Sequence, residues 1–217
     1  MLKFIDDLLI KHNQQRKENL KDYMEKIHSE TAKIDCENLQ EPKISLLGPA
    51  LEASKYYIDE KVIRDIFAKL IATSFDKSKN DKLHHSYIEI VKQLSPLDAN
   101  VFKNLKSPFY LITCLTKISN ANEDVLQDIL VNNEFPEVDQ RTGILFNNLK
   151  RLGLIHITNN IGRVKIDSNY EPIINCFKQT NYFHEICKRY GEDKIELLSQ
   201  PCHITELGFC FRDICIN

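Results

Sequence analysis

Residues 149–157 read LKRLGLIHI, and the order of residue types in that stretch decides the fold class. Leu149 and Leu152 close an apolar helical stripe that begins at Ile144 and Leu145. Gly153 supplies the left-handed residue on which a helix ends. Leu154-Ile155-His156-Ile157 changes at once to a strand-like run. It is followed by a turn at Thr158-Asn159-Asn160-Ile161-Gly162 and an alternating run at Arg163-Val164-Lys165-Ile166. The spacing predicts a β-hairpin fed directly by a helix. Upstream, Asp139 is placed to cap that helix. Ser95-Pro96-Leu97-Asp98 opens an earlier one, with Ser as cap, Pro at the first helical position and Asp three residues on.

Between these two, Asp124–Val131 carries Val125, Leu126, Ile129 and Leu130 at helical spacing, and a helix is expected there. Phe109-Tyr110-Leu111-Ile112 fits either a short strand or a buried helix. Further on, residues 173–190 read as one helix, Cys202–Ile204 as a short extended piece, and Thr205 as the cap of a last helix through Leu207, Phe211 and Ile214. Helix, helix, helix, two-stranded hairpin is the order of a winged helix. The chain is therefore expected to be mainly α, with a winged-helix-like domain over residues 95–217 and a helical domain over 1–94.

The first domain starts with a long helix through about residue 36. Phe4, Ile5, Leu8 and Leu9, then Leu20, Tyr23, Met24 and Ile27, recur at helical spacing around a polar middle, KHNQQRKEN. Its apolar face packs on the domain or meets another chain, and a homo-oligomer through this helix is expected. Pro42 breaks the chain, and Pro49 suits the first turn of a short helix. Asp59 is placed to cap the next one, whose Val62, Ile63, Ile66, Phe67, Leu70 and Ile71 form the strongest apolar stripe in the sequence. Another helix carries Tyr87, Ile88, Val91 and Leu94.

Composition narrows the classes. The chain has 217 residues, 42% hydrophobic and 28% charged, enough apolar content for a packed core. With Lys+Arg 29 against Asp+Glu 31, the formal charge of −2 provides no global attraction to nucleic acid or anionic membranes. The 7 Cys are odd in number and lie mostly in apolar stretches, which predicts reduced, buried thiols and a cytoplasmic protein rather than a disulfide framework. Asp6 and Asp7 interrupt what would be a signal peptide's apolar region, and no run approaches the ~20 apolar residues of a bilayer span.

The segments PKISLLGPALEAS (Pro42–Ser54) and YYIDEKVIRDIFAKLIATSFDKSKNDKLHHSYIEIVKQLSPLDA (Tyr56–Ala99) resemble the bacterial Abi-alpha, or abortive infection alpha, family. NNLKRLGLI (Asn147–Ile155) and ITELGFCF (Ile204–Phe211) are similar to its later elements, so the likeness runs over about residues 37–215. It implies a role in anti-phage defence and supplies no catalytic residue.

The residues themselves point the same way. There is no phosphate-binding glycine loop, zinc-protease helix or nucleophile elbow. Arg151 and His156 have the spacing of some nuclease pairs but straddle Gly153, so they are not expected to share a helix face. His184, Cys187, Cys202 and His203 offer zinc-type ligands, but adjacent Cys202 and His203 point to opposite sides of an extended segment, and no metal or other cofactor is expected. Neither catalytic nor metal-binding residues are assigned. Between Val138 and Tyr170, five cations oppose Asp139 and Asp167, a local +3. On a winged helix, Gln140, Arg141, Asn147 and Asn148 would face base edges, with Lys150, Arg151, Arg163 and Lys165 on the phosphates. Three functions follow: a non-catalytic defence protein acting through protein partners or self-assembly, a nucleic-acid-binding regulator, or a toxin with a concealed nuclease site.

Overall fold

The computed structural model describes residues 2–118, 121–131, 137–139, 141–158 and 171–217. These fall into two units, residues 1–104 with 209–217, and residues 105–208. The sequence divides the chain at 94/95, whereas the contacts group residues 95–104 and 209–217 with the first unit.

The first unit is helical: α1 (Leu2–Thr31), α2 (Ile44–Ser54), α3 (Lys61–Thr73), α4 (Ser86–Lys92) and α5 (Pro96–Asn104). The stripe on α3 makes its centre, with Ile63, Phe67, Ala68 and Leu70 fully buried. On α1, Tyr23 is buried, but Leu20 and Met24 remain 49% and 47% exposed, so the apolar face is wider than what covers it. Side chains before Asn13 lie outside the described set. The cap of α5 forms as the sequence predicts. Asp98 Oδ2 accepts from Ser95 N–H at 2.9 Å and Ser95 Oγ accepts from Asp98 N–H at 3.1 Å.

Two local expectations are corrected here. Pro49 is the sixth residue of α2 rather than part of its first turn, so the helix runs past it without the bond its N–H would have made. Asp59 does not cap α3, whose N-cap is Glu60. Its carboxylate instead accepts from Arg16 at 2.9 Å and Asn19 at 3.0 Å, tying α1 to the loop before α3.

An acid-sensitive contact holds the end of α1. Glu30 takes Lys26 and Lys33, each at 2.8 Å. Burial pushes its carboxyl up, but the two ammonium hydrogen bonds with their charges outweigh this and bring its pKa from 4.5 to about 2. A lowered folded-state pKa stabilises the fold fully above 4.5, and that contribution is lost as pH falls through about 2. Glu30→Gln should therefore lower the melting temperature at neutral pH, and the gap to wild type should close across that window in melts run at stepped pH.

The second unit is built on a four-stranded antiparallel sheet with order β2-β1-β4-β3: β1 (Phe109–Ile118), β2 (Ala121–Ile129), β3 (Ile155–Ile157) and β4 (Ile195–Ile204). Helices α6 (Arg141–Arg151), α7 (Glu171–Lys178) and α8 (Asn181–Tyr190) accompany it, and α9 (Glu206–Cys215) follows β4. The helix expected at Asp124–Val131 is instead largely β2, paired with β1 from Ala121↔Ile118 to Ile129↔Ile112. The single helix expected over 173–190 is two. Thr180 is extended there, and its hydroxyl caps α8 by accepting from Phe183 N–H at 3.1 Å. Ile112, Cys114, Ile129, Val131, Phe177, Phe183 and Ile186 form one buried cluster between sheet and helices. The first strand of the expected hairpin is β3, which pairs with β4. Its expected partner, residues 163–166, lies outside the described residues.

Candidate functional site

Helix α6 is the element on which the sequence concentrates its candidate contacts. Asp139 Oδ1 accepts from Arg141 N–H at 2.9 Å and so satisfies the first N–H of the helix. Thr142, Leu145, Phe146 and Leu149 are buried, and Phe146 stacks near Phe109 with ring centroids 5.7 Å apart. The helix ends on Gly153, at φ 73°. Leu154 N–H reaches Leu149 O and Gly153 N–H reaches Lys150 O, both at 3.0 Å, the paired bonds of a glycine C-terminal cap.

The opposite face of α6 carries Arg141, Ile144, Asn147, Lys150 and Arg151, all exposed. Ile144 is 76% exposed in the middle of it, while its neighbour Leu145 is buried. The charges are partly engaged within the unit. Asp139 binds the Arg141 guanidinium at 2.6 Å, and that hydrogen bond holds the carboxyl below its ordinary range. Arg151 donates to Asn148 Oδ1 at 2.7 Å, and Asn147 to Gly143 O at 3.0 Å. Burial raises the carboxyl pKa of Asp128, and the Lys150 charge opposes that rise. Gln140, Arg163 and Lys165 lie outside the described residues.

The groups considered for chemistry do not assemble into a reactive centre among the described residues. Arg151 is held to Asn148 on α6, while His156 stands on β3 opposite His203. Cys202 is fully buried and His203 exposed, and the His184 ring meets Thr180 O at 2.8 Å. No group of three or more His, Cys, Asp and Glu is arranged to hold a metal among the described residues. Burial pushes the Cys114 thiol up to about 11 and Cys202 to about 12, so both are protonated and poor nucleophiles.

Cavities among the described residues occur in each unit. One of about 370 Å³ in the first unit is lined by Lys26, Glu30, Lys33, Asp65, Lys69 and Lys103, among others. Burial lowers the Lys69 pKa there. One of about 290 Å³ in the second unit is lined by Glu171, Asn175, Lys178, Phe183 and Glu192, among others.

The first unit also exposes an apolar face that sequence periodicity could not assign. On α2, Ile44 is 77% and Leu51 40% exposed, and Tyr56 just beyond is 78% exposed. Gly48 lies one turn from Ile44 with open space where a side chain would be. No helix among the described residues is long and apolar enough to cross a membrane.

No curated protein and no solved structure matches the chain. The family comparison does: residues 15–215 match the abortive infection alpha family, a span that takes in most of both units, and the chain belongs to that family.

Proposed function

We propose that this protein defends a bacterial cell against phage by contact with other proteins, its own copies included, rather than by catalysis at a site of its own. Family membership supports the anti-phage role. The observation that carries the mechanism is the apolar face of α2, where Ile44 and Leu51 stand in water either side of an open Gly48, with Tyr56 exposed just beyond the helix. Exposed aliphatic and aromatic groups clustered on one helix face mark an interaction surface better than scattered ones do. Leu20 and Met24 on α1 extend the same character and are the residues through which we propose self-association.

A plaque assay tests this. Cells carrying the gene should yield fewer phage than cells without it. The Ile44→Asp/Tyr56→Asp variant should return the yield to the level without the gene, while its stability stays within about 0.5 kcal/mol per exposed site. Equal yields with and without the wild-type gene over a broad phage panel would overturn the reading.

A second reading is a winged-helix-like regulator that binds nucleic acid. It is favoured by the outward stripe of Arg141, Ile144, Asn147 and Arg151, a helix face of cations, an amide and one apolar group of the kind that enters a major groove. A duplex mobility shift that is strong at about 50 mM salt and weak at about 200 mM would distinguish it from the first.

A further inference from the structure

We infer that His156 and His203 form a two-histidine site for a first-row transition-metal dication on the solvent face of the sheet. They face each other across the ladder between β3 and β4. Their neighbours Ile155, Ile157, Cys202 and Ile204 are buried, at 2%, 2%, 0% and 5% exposure. Side chains alternate along a strand, so burial of those four sends both imidazoles outward, and both residues are exposed.

The ladder bonds set the spacing. Thr158 N–H donates to Pro201 O at 3.0 Å, and Thr205 N–H donates to Leu154 O at 3.1 Å. These pairs lie two residues either side, and pair type alternates along an antiparallel ladder. His156 and His203 are thus a hydrogen-bonded pair, with Cα atoms about 5.5 Å apart and Cβ atoms about 4.5–5.5 Å apart. Two imidazoles at that separation can each place a nitrogen about 2.0–2.1 Å from one metal ion. Neither ring makes a hydrogen bond to a described residue, in contrast to His84 with Ser86, His85 with Ser45 and His184 with Thr180.

Ligand chemistry fixes the class of ion. Two neutral imidazoles suit Ni²⁺, Cu²⁺ and Zn²⁺ and do not suit Mg²⁺ or Ca²⁺, which take oxygen ligands. With only two protein ligands, the remaining coordination positions stay open. Local sequence carries no sign of the pair, because only the register of β3 on β4 brings the two residues together.

The test uses the untagged full chain, the histidine ring signals in an NMR titration, and Ni²⁺ alone as probe. Substoichiometric Ni²⁺ should broaden the His156 and His203 rings together, ahead of His84, His85 and His184. Removing one partner turns a two-point ligand into a one-point ligand, so His203→Ala should weaken Ni²⁺ at His156 by about 100-fold, and His156→Ala should do the same at His203. Circular dichroism of both variants should remain that of wild type, since each ring stands in solvent. Even broadening of all histidines, an unchanged His156 response in His203→Ala, or an equal response to Mg²⁺ would overturn the assignment.

Discussion

Phe211→Ala should lower the unfolding free energy by about 3–5 kcal/mol, the cost of emptying a fully enclosed phenyl site. Phe211 is 0% exposed in the first unit. Its ring meets Tyr87 edge-on, with centroids 5.5 Å apart at 72°, and Phe102 at 6.2 Å. The Arg212 guanidinium covers the same Phe102 ring from 5.0 Å. Removing one ring takes a packing partner from each of two aromatic neighbours and leaves a void that three helices, α4, α5 and α9, cannot close by small shifts. Phe209, two residues earlier on α9, is 47% exposed. Phe209→Ala should change stability by no more than about 1 kcal/mol. Urea denaturation followed by circular dichroism gives both values, and similar midpoints for the two variants would contradict the assignment of Phe211 to the core.

Gly208→Ala should be nearly as damaging, through backbone rather than cavity. A Cβ at Gly208 would collide with the carbonyl oxygen of Leu154 and sit 2.8 Å from Ile204 Cγ2. That carbonyl cannot retreat easily, because it accepts from Thr205 N–H at 3.1 Å. Thr205 itself is fixed from both sides. Its hydroxyl donates to Gly153 O at 2.5 Å and accepts from Gly208 N–H at 3.0 Å as the cap of α9. The methyl group must therefore displace the Leu154 carbonyl or break the cap. The expected loss is about 3 kcal/mol or more, at the upper end for an overpacked site. Gly48→Ala is the control, since no atom lies within 4 Å of its added Cβ. Ala also suits a helix interior better than Gly, so that variant should be neutral or slightly stabilising. Thermal melts of the two alanine variants side by side test the contrast.

These two positions also show which parts of the fold local sequence could reveal. Thr205, Ser95 and Asp98, and Gly153 are cap residues, each acting within a few positions of itself, and all perform the expected role. The α3 stripe was equally legible because its period is local. The sheet was not. Residues 121–129 carry apolar groups at a spacing that suits a helix, and pairing with β1 overrides it, with register shifts between Ile112 and Leu115 and Asp128 at φ 54°. In β4, Pro201 argues against an inner strand, and residues 195–201 are all half-buried, so no alternation shows. Pro201 is tolerated because its carbonyl side faces Thr158, just past the end of β3, where a missing N–H interrupts no further rung of that strand.

The candidate surfaces divide in the same manner. The α6 face was visible as charge and amide residues at helical spacing. The exposure of Ile144 was not visible, because an apolar residue next to a buried stripe fits either side of its edge. The apolar face of α2 was hidden by Pro49, which suggested a shorter helix than the one that carries Ile44 and Leu51 together. The pairing of His156 with His203 depends on strand register alone.

The strand order has a consequence for how the chain reaches its native state. β4 lies between β1 and β3, and residues 209–217 belong to the first unit although they are the last in sequence. Long-range pairings of this kind close late. A ribosome making the protein must release residues 195–217 before either unit has all its parts, so a nascent chain carries an open β1 edge and an incomplete helical core until those residues have emerged.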